Sequence, residues 1–576
     1  MEKYWHIKPA GDTQEVKQLA EAIHVNEHMA RLLIQRGIHS YDEAKTFFRP
    51  ALEDIHDPFL MKDMNRAIDR ITTAIDKNER ILVYGDYDVD GTTSVALIYS
   101  FFRTFYNNMD FYIPDRYSEG YGISYKGIDW AKENNFSLVI ALDCGIKAVD
   151  KISYANKKKI DFIICDHHLP GDIIPEASAI LDPKQPQCEY PDKNLSGCGV
   201  GFKLMQGYAR INNIPFENLI PYLDLVAVSI ASDIVPITGE NRILAHYGMK
   251  QLNENPRTGL KSIIRLAGIR DKEIEVEDIV FRIGPRINAA GRIESGRKAV
   301  ELLIEEDTSF AKTMGEKIDA YNIERRKIDQ EITREAMQIL SDDSFLTNRK
   351  TTVLYREHWH KGVVGIVASR LIEQYYRPTI ILTESEGLVT GSARSVDGFD
   401  LYQALDACSD LLESFGGHMY AAGVTLKEEN VEPFREKFES VVDASITPEM
   451  LVPRIEIDDI LDLNEISESF FRVLRQMKPF GPGNMSPVFM TRHVRDIGTG
   501  RAVGNNGGHL KLDLVQDENP VRPFPAIAFN QSHHLEKIGE LMDICYTIEE
   551  NEFRGNVSIQ LQIKDIKPTS TGCNSN

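Results

Sequence analysis

Four apolar residues that empty into three alternating aspartates constrain this chain more than any other stretch: Ile81-Leu-Val-Tyr84, then Gly85, then Asp86, Asp88 and Asp90 ahead of Gly91. The apolar, partly β-branched run predicts a buried strand, and Gly85 and Gly91 release the backbone into a turn that opens a helix near Thr92. Carboxylates crowded this closely repel one another, so the arrangement costs free energy unless a cation sits among them or the acids splay into water. A calcium loop of the EF-hand kind also needs a Glu six residues past the glycine, and that position is Leu97. A solvated acidic turn is the alternative for the stretch taken alone. Its meaning therefore depends on partners elsewhere.

Those partners follow at regular intervals. Short apolar runs recur at 111–113, 138–142, 162–165 and 179–181 with helical material between several of them, the pattern of an α/β, mostly parallel, doubly wound sheet. Ligands of such sheets sit beyond the carboxyl ends of the strands. Polar residues stand at that end in Asp86/Asp88/Asp90, in Leu142-Asp-Cys-Gly145 and in Asp166-His-His168, while Asp233 follows an apolar helical stretch from Leu219 to Ile230.

The remainder divides into further segments. Residues 1–60 read as a small N-terminal helical segment packed on the next domain, and 61–305 as the sheet domain just described. Residues 306–345 form a connector: Asp307, Thr308 and Ser309 supply N-cap chemistry and Phe310, Met314, Ile318 and Tyr321 repeat at helical spacing, for a helix of roughly 50 Å. Residues 346–447 read as a second, smaller α/β unit. Alternating β runs separated by Gly, Pro and Asn over 448–568 fit a small β-barrel, and 569–576 a disordered polar tail.

Composition excludes several classes. A formal net charge of −21 argues against a protein that coats nucleic acid non-specifically. One local exception is 281–300, where Arg282, Arg286, Arg292, Arg297 and Lys298 face the single acid Glu294. The seven cysteines form no C-x-x-C pair and read as reduced thiols. With neither an apolar run of membrane-spanning length nor a signal-peptide pattern at Met1-Glu-Lys-Tyr-Trp-His6, the expectation is a cytoplasmic protein.

Aspartates 86, 88, 90, 143 and 233 with His167 and His168 make a mixed oxygen and nitrogen donor set. Hard carboxylates favour Mg²⁺ or Mn²⁺, imidazole shifts the balance towards Mn²⁺, and seven donors exceed the needs of one ion. Two divalent cations roughly 3.5–4 Å apart would use them, the usual arrangement for phosphoester hydrolysis. Each position alone has a duller reading, since an Asp at a strand end is commonly a helix N-cap and a His pair a hydrogen-bonded loop.

The ordered series Asp86-Tyr-Asp-Val-Asp-Gly91, Leu142-Asp-Cys-Gly145, Asp166-His-His168 and Ala231-Ser-Asp233 resembles the four motifs of the DHH phosphoesterase superfamily. Arg282-Ile-Gly-Pro-Arg-Ile-Asn-Ala-Ala-Gly-Arg292, Ser392-Ala-Arg-Ser395 and Gly416-Gly-His418 resemble further motifs of its RecJ branch, over nearly the whole chain. The resemblance implies a DHH domain, a DHHA1-type domain and an OB-like domain. It implies that Asp86, Asp88 and Asp143 hold one ion and Asp90, Asp143, His167 and Asp233 the other, with Asp143 bridging. His168 then lies near the scissile phosphate, so that Asp143, His168 and Asp90 carry the catalysis. Arg116, Ser392, Arg394 and Ser395 resemble a 5′-phosphate pocket, and Tyr121 is placed to stack on a base.

Among the other motif residues, Arg286, Asn288 and Arg292 suit phosphate contacts, because Arg offers paired donors while Ala289, Ala290 and Gly291 let backbone approach. His360 and His418 are further candidate substrate contacts. In the barrel, Arg492, Arg495, His509, Lys511 and Arg522 are available to a single strand.

The implied activity is metal-dependent hydrolysis of single-stranded DNA from its 5′ end to 5′-mononucleotides, in recombination and repair, by a monomer working with a helicase and a single-strand-binding protein. Two alternatives are a DHH phosphoesterase acting on pyrophosphate, oligoribonucleotides or cyclic dinucleotides, and a metal-stabilised DNA-binding scaffold without catalysis.

Overall fold

A computed structural model describes residues 2–269, 272–343, 346, 348–516, 519–553 and 556–569, without the side chains of 519–522, 553 and 556. The tail after Thr569 and the side chain of Arg522 therefore lie outside the described residues. Two compact units emerge, one of residues 52–452 and one combining 1–51 with 453–576. Among the described residues no helix is long and apolar enough to cross a membrane.

The 52–452 unit contains a five-stranded parallel sheet. Its strands are β1 (Ile81–Gly85), β2 (Met109–Tyr112), β3 (Leu138–Leu142), β4 (Asp161–Cys165) and β5 (Ala179–Leu181), in the spatial order β2-β1-β3-β4-β5. Period-two alternation sorts the side chains: Ile81, Val83, Leu138, Ile140 and Leu142 enter one core, and Leu82, Tyr84, Val139 and Ala141 the core on the opposite face. Burial on both faces explains why these strands read as uninterrupted apolar runs. All carboxyl ends point one way, which collects Asp86, Asp143 and Asp166 along one edge.

Helices that matter for the site are α1 (Val89–Arg103), α2 (Gly197–Ile211), α3 (Leu223–Ser232) and α4 (Gly284–Ile293). Asp307 caps α5 (Thr308–Asp342), whose 35 residues correspond to roughly 52 Å. Beyond it lies a second five-stranded sheet, β6 (Thr352–Tyr355), β7 (Thr379–Ser385), β8 (Leu388–Arg394), β9 (Ser414–His418) and β10 (Ala421–Leu426), in the order β9-β10-β8-β7-β6. Helix α6 (Val364–Tyr375) connects β6 to β7, which pair in parallel.

In the other unit, β11 (Phe489–Asp496), β12 (His509–Gln516), β13 (Asn519–Ala528), β14 (Met542–Phe553) and β15 (Asn556–Pro568) run in the order β11-β14-β15-β13-β12. Pairing of β11 with β12 closes the ring into a barrel. The N-terminal residues differ from the sequence reading in what they pack on. Tyr4–Ile7 pairs with Arg454–Ile457, and Val16, Leu19, Met29, Leu32 and Leu33 enter the same core as Leu510, Leu512 and Leu514 of β12. Neighbourhood along the chain did not decide the partner; the barrel's apolar side did. Arg492 and Arg495 are exposed on β11, Lys511 is half-buried on β12, and His509 meets Phe529 edge-on at 5.1 Å.

Candidate active site

Three strand ends and one helix end converge beyond the parallel sheet. Asp88 is the N-cap of α1, its Oδ1 accepting from Gly91 N at 2.9 Å, and this places Asp86 before the helix and Asp90 in its first turn. Gly91 is needed there, because a Cβ would lie 2.4 Å from Asp86 O. Asp90 is held by the start of α2: Gly197 N donates to Oδ2 at 2.7 Å, and Cys198 N and Ser229 Oγ donate to Oδ1, each at 2.7 Å. A buried carboxylate gripped by helix-terminal amides stays where the fold puts it.

Asp143 follows β3 in the left-handed region, φ 59°, with its amide donating to Cys165 O at 2.8 Å. Its side chain is buried, and neither carboxylate oxygen has a hydrogen-bond partner. Burial, then the negative charges of Asp90, Asp88 and Asp233, pushes its pKa well above the carboxylate range. Burial and Asp88 do the same to Asp86, whose Oδ2 is also without a partner. Burial and Asp90 raise Asp233 to about 8.

His167 turns the cluster into a donor set for a metal. Its Nδ1 faces Leu195 O at 3.0 Å and so carries the proton, which leaves the Nε2 lone pair directed at Asp143 Oδ1 (3.2 Å), Asp233 Oδ2 (3.6 Å) and Asp90 Oδ2 (3.8 Å). Burial keeps this imidazole neutral by lowering its pKa. Asp90, His167 and Asp233 each offer a donor atom within 4.8 Å of the others. Buried acceptors facing one point with no donor among them are a poor protein interior but a good cation site, so the residues fit divalent metal.

Asp166 plays a different part. Its Oδ2 accepts from Ile146 N at 2.9 Å, and its Oδ1 from His167 N at 2.8 Å and from His168 Nδ1 at 2.8 Å. Burial alone would raise its pKa, but the bond and charge of His168 hold it at about 2. The first acid of Asp-His-His thus orients the His168 imidazole and holds the main chain of His167. In His168 burial opposes the proton, yet the bond to Asp166 wins and raises its pKa. Tyr121, exposed, reaches His168 Nε2 at 3.4 Å and Asp143 O at 3.3 Å. Tyr84 lies on the far side of β1, donating to Gly122 O at 3.0 Å and accepting from Ser124 N at 3.2 Å.

A cavity of about 390 Å³ opens beside the carboxylates. Tyr87, between Asp86 and Asp88, forms one wall, and Arg116, Arg292, Lys361 and Arg394 supply four cations with no acid in the lining. Arg116 stacks on Tyr87, its guanidinium carbon 4.6 Å from the ring centroid. Burial, then Arg116 and Arg325, pushes Arg292 down to about 9; burial and Arg116 also lower Arg394. Gly362, Val364 and Gly365, at the N-terminal end of α6, complete the lining, so main-chain amides and a helix dipole add to the positive field. The charge and donors of this lining suit an anionic group.

Of the residues expected from sequence, Arg116, Arg292, Ser392 and Arg394 meet in that cavity. Ser395 does not line it, and its hydroxyl donates to Phe399 O at 2.8 Å. Arg286 does not reach it either. Its guanidinium donates to Asp319 Oδ1 (2.8 Å), Arg282 O (2.7 Å) and Leu266 O (3.2 Å), clamping α4 to the connector helix. Asn288 is half-buried on α4, His360 Nδ1 accepts from Gly362 N at 3.1 Å, and His418 is exposed at the end of β9. Tyr87, Tyr117, Lys361 and the α6 N-terminus were not singled out from sequence. The Lys361-Gly362 pair just before a helix was the available signal.

Known proteins resemble this chain along most of its length. Residues 80–230 match the DHH family N-terminal domain, 348–444 the DHHA1 domain and 457–565 the RecJ OB domain. The single-stranded-DNA-specific exonuclease RecJ of Bacillus subtilis is 38% identical over 97% of this chain and 70% of its own length. That of Salmonella typhimurium is 33% identical over 94% and 96%. The crystal structure of RecJ in complex with Mn²⁺ from Thermus thermophilus superposes with a TM-score of 0.83 at 25% identity, covering 99% of this chain and 80% of that one.

Proposed function

Because the chain belongs to the RecJ family of single-stranded-DNA-specific exonucleases, we propose that it is a metal-dependent exonuclease that shortens single-stranded DNA from the 5′ end and releases 5′-mononucleotides. One observation carries the polarity: Tyr87 lines the phosphate cavity while its immediate neighbours Asp86 and Asp88 belong to the carboxylate cluster. A terminal 5′-phosphate seated against Arg116, Arg292 and Arg394 places the next phosphate of the strand over the cluster. A 3′ end carries no such group to seat.

Asp86, Asp88 and Asp143 would hold one Mn²⁺ or Mg²⁺ and Asp90, Asp143, His167 and Asp233 the other. When bound, the pair lowers the pKa of a water and offsets charge on the phosphoryl oxygens. Hydrolysis breaks the bond between phosphorus and the O3′ of the departing nucleotide. Water supplies OH to phosphorus and a proton to O3′, so the shortened strand again ends in a 5′-phosphate. The chain's own groups frame that step. Asp166 raises the pKa of His168 and fixes its ring beside the cluster, where it would face the reacting phosphate. Tyr121 borders the same opening, and Asn288, His360 and His418 remain candidate contacts to the strand.

The setting we assign is DNA recombination and repair, with a helicase and a single-strand-binding protein supplying the strand to a monomeric enzyme. A 5′-labelled single strand incubated with Mn²⁺ is expected to yield labelled mononucleotide, and Asp143→Ala to abolish this while the far-UV circular dichroism is kept. Equal digestion from 3′ ends, or faster turnover of pyrophosphate or a diribonucleotide than of the long strand, overturns the reading.

A further inference from the structure

The cavity that receives the 5′ end is larger and more positive than one phosphate requires. Its volume of about 390 Å³ is that of about a dozen waters at about 30 Å³ each, and a phosphate group replaces only a few of them. Arg116, Arg292, Lys361 and Arg394 bring four positive charges to a lining without acids, whereas a terminal phosphate carries about −1.5 to −2 at pH 7. About two positive charges are left over.

The surplus has a place. Thr390, Ser392 and Arg394 are alternate residues of β8, so they share one face of the sheet, and at roughly 3.3 Å per residue they line a wall of about 13 Å. Arg394 marks the end nearer the carboxylates: after burial, it is the charge of Arg116 that lowers its pKa, and the same Arg116 acts on Asp86 and Asp88. Lys361 marks the other end. Its Nζ lies 3.5 Å from Ser385 Oγ, and Ser385 pairs with Leu388 where β7 turns into β8, while Arg394 pairs with Thr379 at the opposite end of both strands. Among the described residues no carboxylate pairs with Lys361. A single phosphate held by Arg116, Arg292 and Arg394 leaves that ammonium without an anion. Confinement of so many cations has a cost: burial and then the charge of Arg116 push Arg292 down to about 9. More negative charge in the cavity relieves it.

A chain of three phosphoryl groups, with an ionised oxygen on each inner group and about −2 on the last, carries about −4 at pH 7 and balances the four cations. Resting on the exonuclease reading above, we propose that the cavity admits the 5′-triphosphate end of a strand as well as a 5′-monophosphate. The α-phosphate takes the seat between Arg116, Arg292 and Arg394, and the β- and γ-phosphates run along β8 to Lys361 and the amino end of α6. Strands with such an end arise when synthesis begins de novo on a nucleoside triphosphate, so a primer-synthesising polymerisation supplies this substrate. In the first cleavage water attacks the phosphorus that joins the first and second nucleotides. Its OH stays on that phosphorus, the bond to O3′ breaks and a proton goes to O3′. The products are a nucleoside 5′-triphosphate and a strand ending in a 5′-monophosphate, with both anhydride bonds intact.

The full-length enzyme with Mn²⁺ tests this on one oligodeoxynucleotide bearing a 5′-hydroxyl, a 5′-monophosphate or a 5′-triphosphate, with the first product separated by anion exchange. We expect KM for the triphosphate strand about tenfold below that for the monophosphate strand, the low end of what one charge-assisted hydrogen bond supplies, and intact deoxynucleoside triphosphate as its first product. Lys361→Met should bring the ratio of the two KM values to about one and Lys361→Arg should keep it. Both ends are compared on the same protein, so a partial loss of folding does not move the ratio, and the wild-type comparison stands without any variant. Free deoxynucleoside triphosphate and inorganic tripolyphosphate are the competitors. Inhibition constants well above the KM of the triphosphate strand support a seat for strand ends, and constants at or below it assign the cavity to free nucleotide and overturn the proposal. A triphosphate KM equal to or above the monophosphate value, release of pyrophosphate, or a ratio unchanged in Lys361→Met overturns the triphosphate seat alone. Failure to digest any of the three strands overturns the exonuclease reading along with it.

Discussion

Gly197→Ala tests how tightly the start of α2 fits the carboxylate cluster. The new Cβ would lie 2.7 Å from Asp143 Cβ, 2.8 Å from its Oδ1 and 2.9 Å from its Cγ. The nearest of these atoms is bonded to the backbone, so rotation of the Asp143 side chain cannot move it away. Its main chain is pinned at φ 59° by the amide bond to Cys165 O. Restoring an ordinary 3.4 Å from 2.7 Å requires a shift of about 0.7 Å between α2 and Asp143. Overpacking of this kind costs about 1–3 kcal/mol, and the better helix propensity of Ala returns about 0.5–1 kcal/mol, so most of the stability survives. Activity does not, because misplacing a catalytic group by about 1 Å costs on the order of 100-fold. Gly199→Ala, one half-turn on, is the control: its Cβ would meet Ser196 Oγ at 3.4 Å and Leu195 Cβ at 3.5 Å, ordinary contacts. Initial rates on a 5′-labelled strand and thermal melts of both variants decide the matter. Gly197→Ala within threefold of wild-type activity, or Gly199→Ala as inactive as Gly197→Ala, refutes the reasoning.

Asp143→Asn should raise the Tm of the metal-free protein, since it removes a buried carboxylate with no donor, and should abolish the Tm increase that Mn²⁺ gives the wild type. That increase corresponds to about 2.7 kcal/mol at a hundred times Kd, measurable by scanning fluorimetry. Arg286→Met should cost about 3 kcal/mol of stability by leaving Asp319 unpaired, while KM for the strand stays within twofold; a large KM change with an unchanged melt would return Arg286 to the substrate. His28 is bonded to Asp459 and Glu465, and the Asp459 bond raises its pKa despite burial. Its stabilising contribution is therefore full below about pH 6.5 and is lost as pH rises through the raised value, so the Tm penalty of His28→Gln should shrink between pH 6 and pH 8.5.

What could be read from sequence was what repeats along the chain. Each strand of the parallel sheet announces itself by an apolar run, and its carboxyl end delivers the next residues to a common edge, so Asp86, Asp143 and Asp166 could be placed together before any coordinates. The division of labour within Asp-His-His could not, because it depends on which atoms face Ile146 N and Leu195 O. The intramolecular bonds of Arg286 were not legible for a related reason. A basic run looks like a solvated or anion-binding surface until a partner appears, and Asp319 stands 33 residues away on another helix. The docking of residues 1–51 against the C-terminal barrel pairs segments some 450 residues apart, which no local pattern encodes. A π-helical turn at Ile279–Ile283 is too short for its period to be told from an α-helix.

The two halves of the site explain why Tyr87 interrupts the acids. Alone, the carboxylates lack cations and the cavity's arginines lack an anion, and in a flexible chain each would satisfy the other. Arg116 is close enough that its charge is felt by both Asp86 and Asp88. What withholds it is the Tyr87 ring, on which its guanidinium rests 4.6 Å from the centroid. That residue is itself fixed, since a Cβ on Gly291 would stand 2.9 Å from Tyr87 O and one on Gly296 3.2 Å from Tyr87 Cα. Gly291 of α4 and Gly296, the first residue of the following helix, thus let main chain close on Tyr87 and keep opposite charges apart. A fold that let Arg116 pair with Asp86 or Asp88 would be more stable and would bind neither metal nor phosphate as well. Stability withheld here is recovered when cations and a phosphorylated strand arrive together, each supplying the charge that one half lacks.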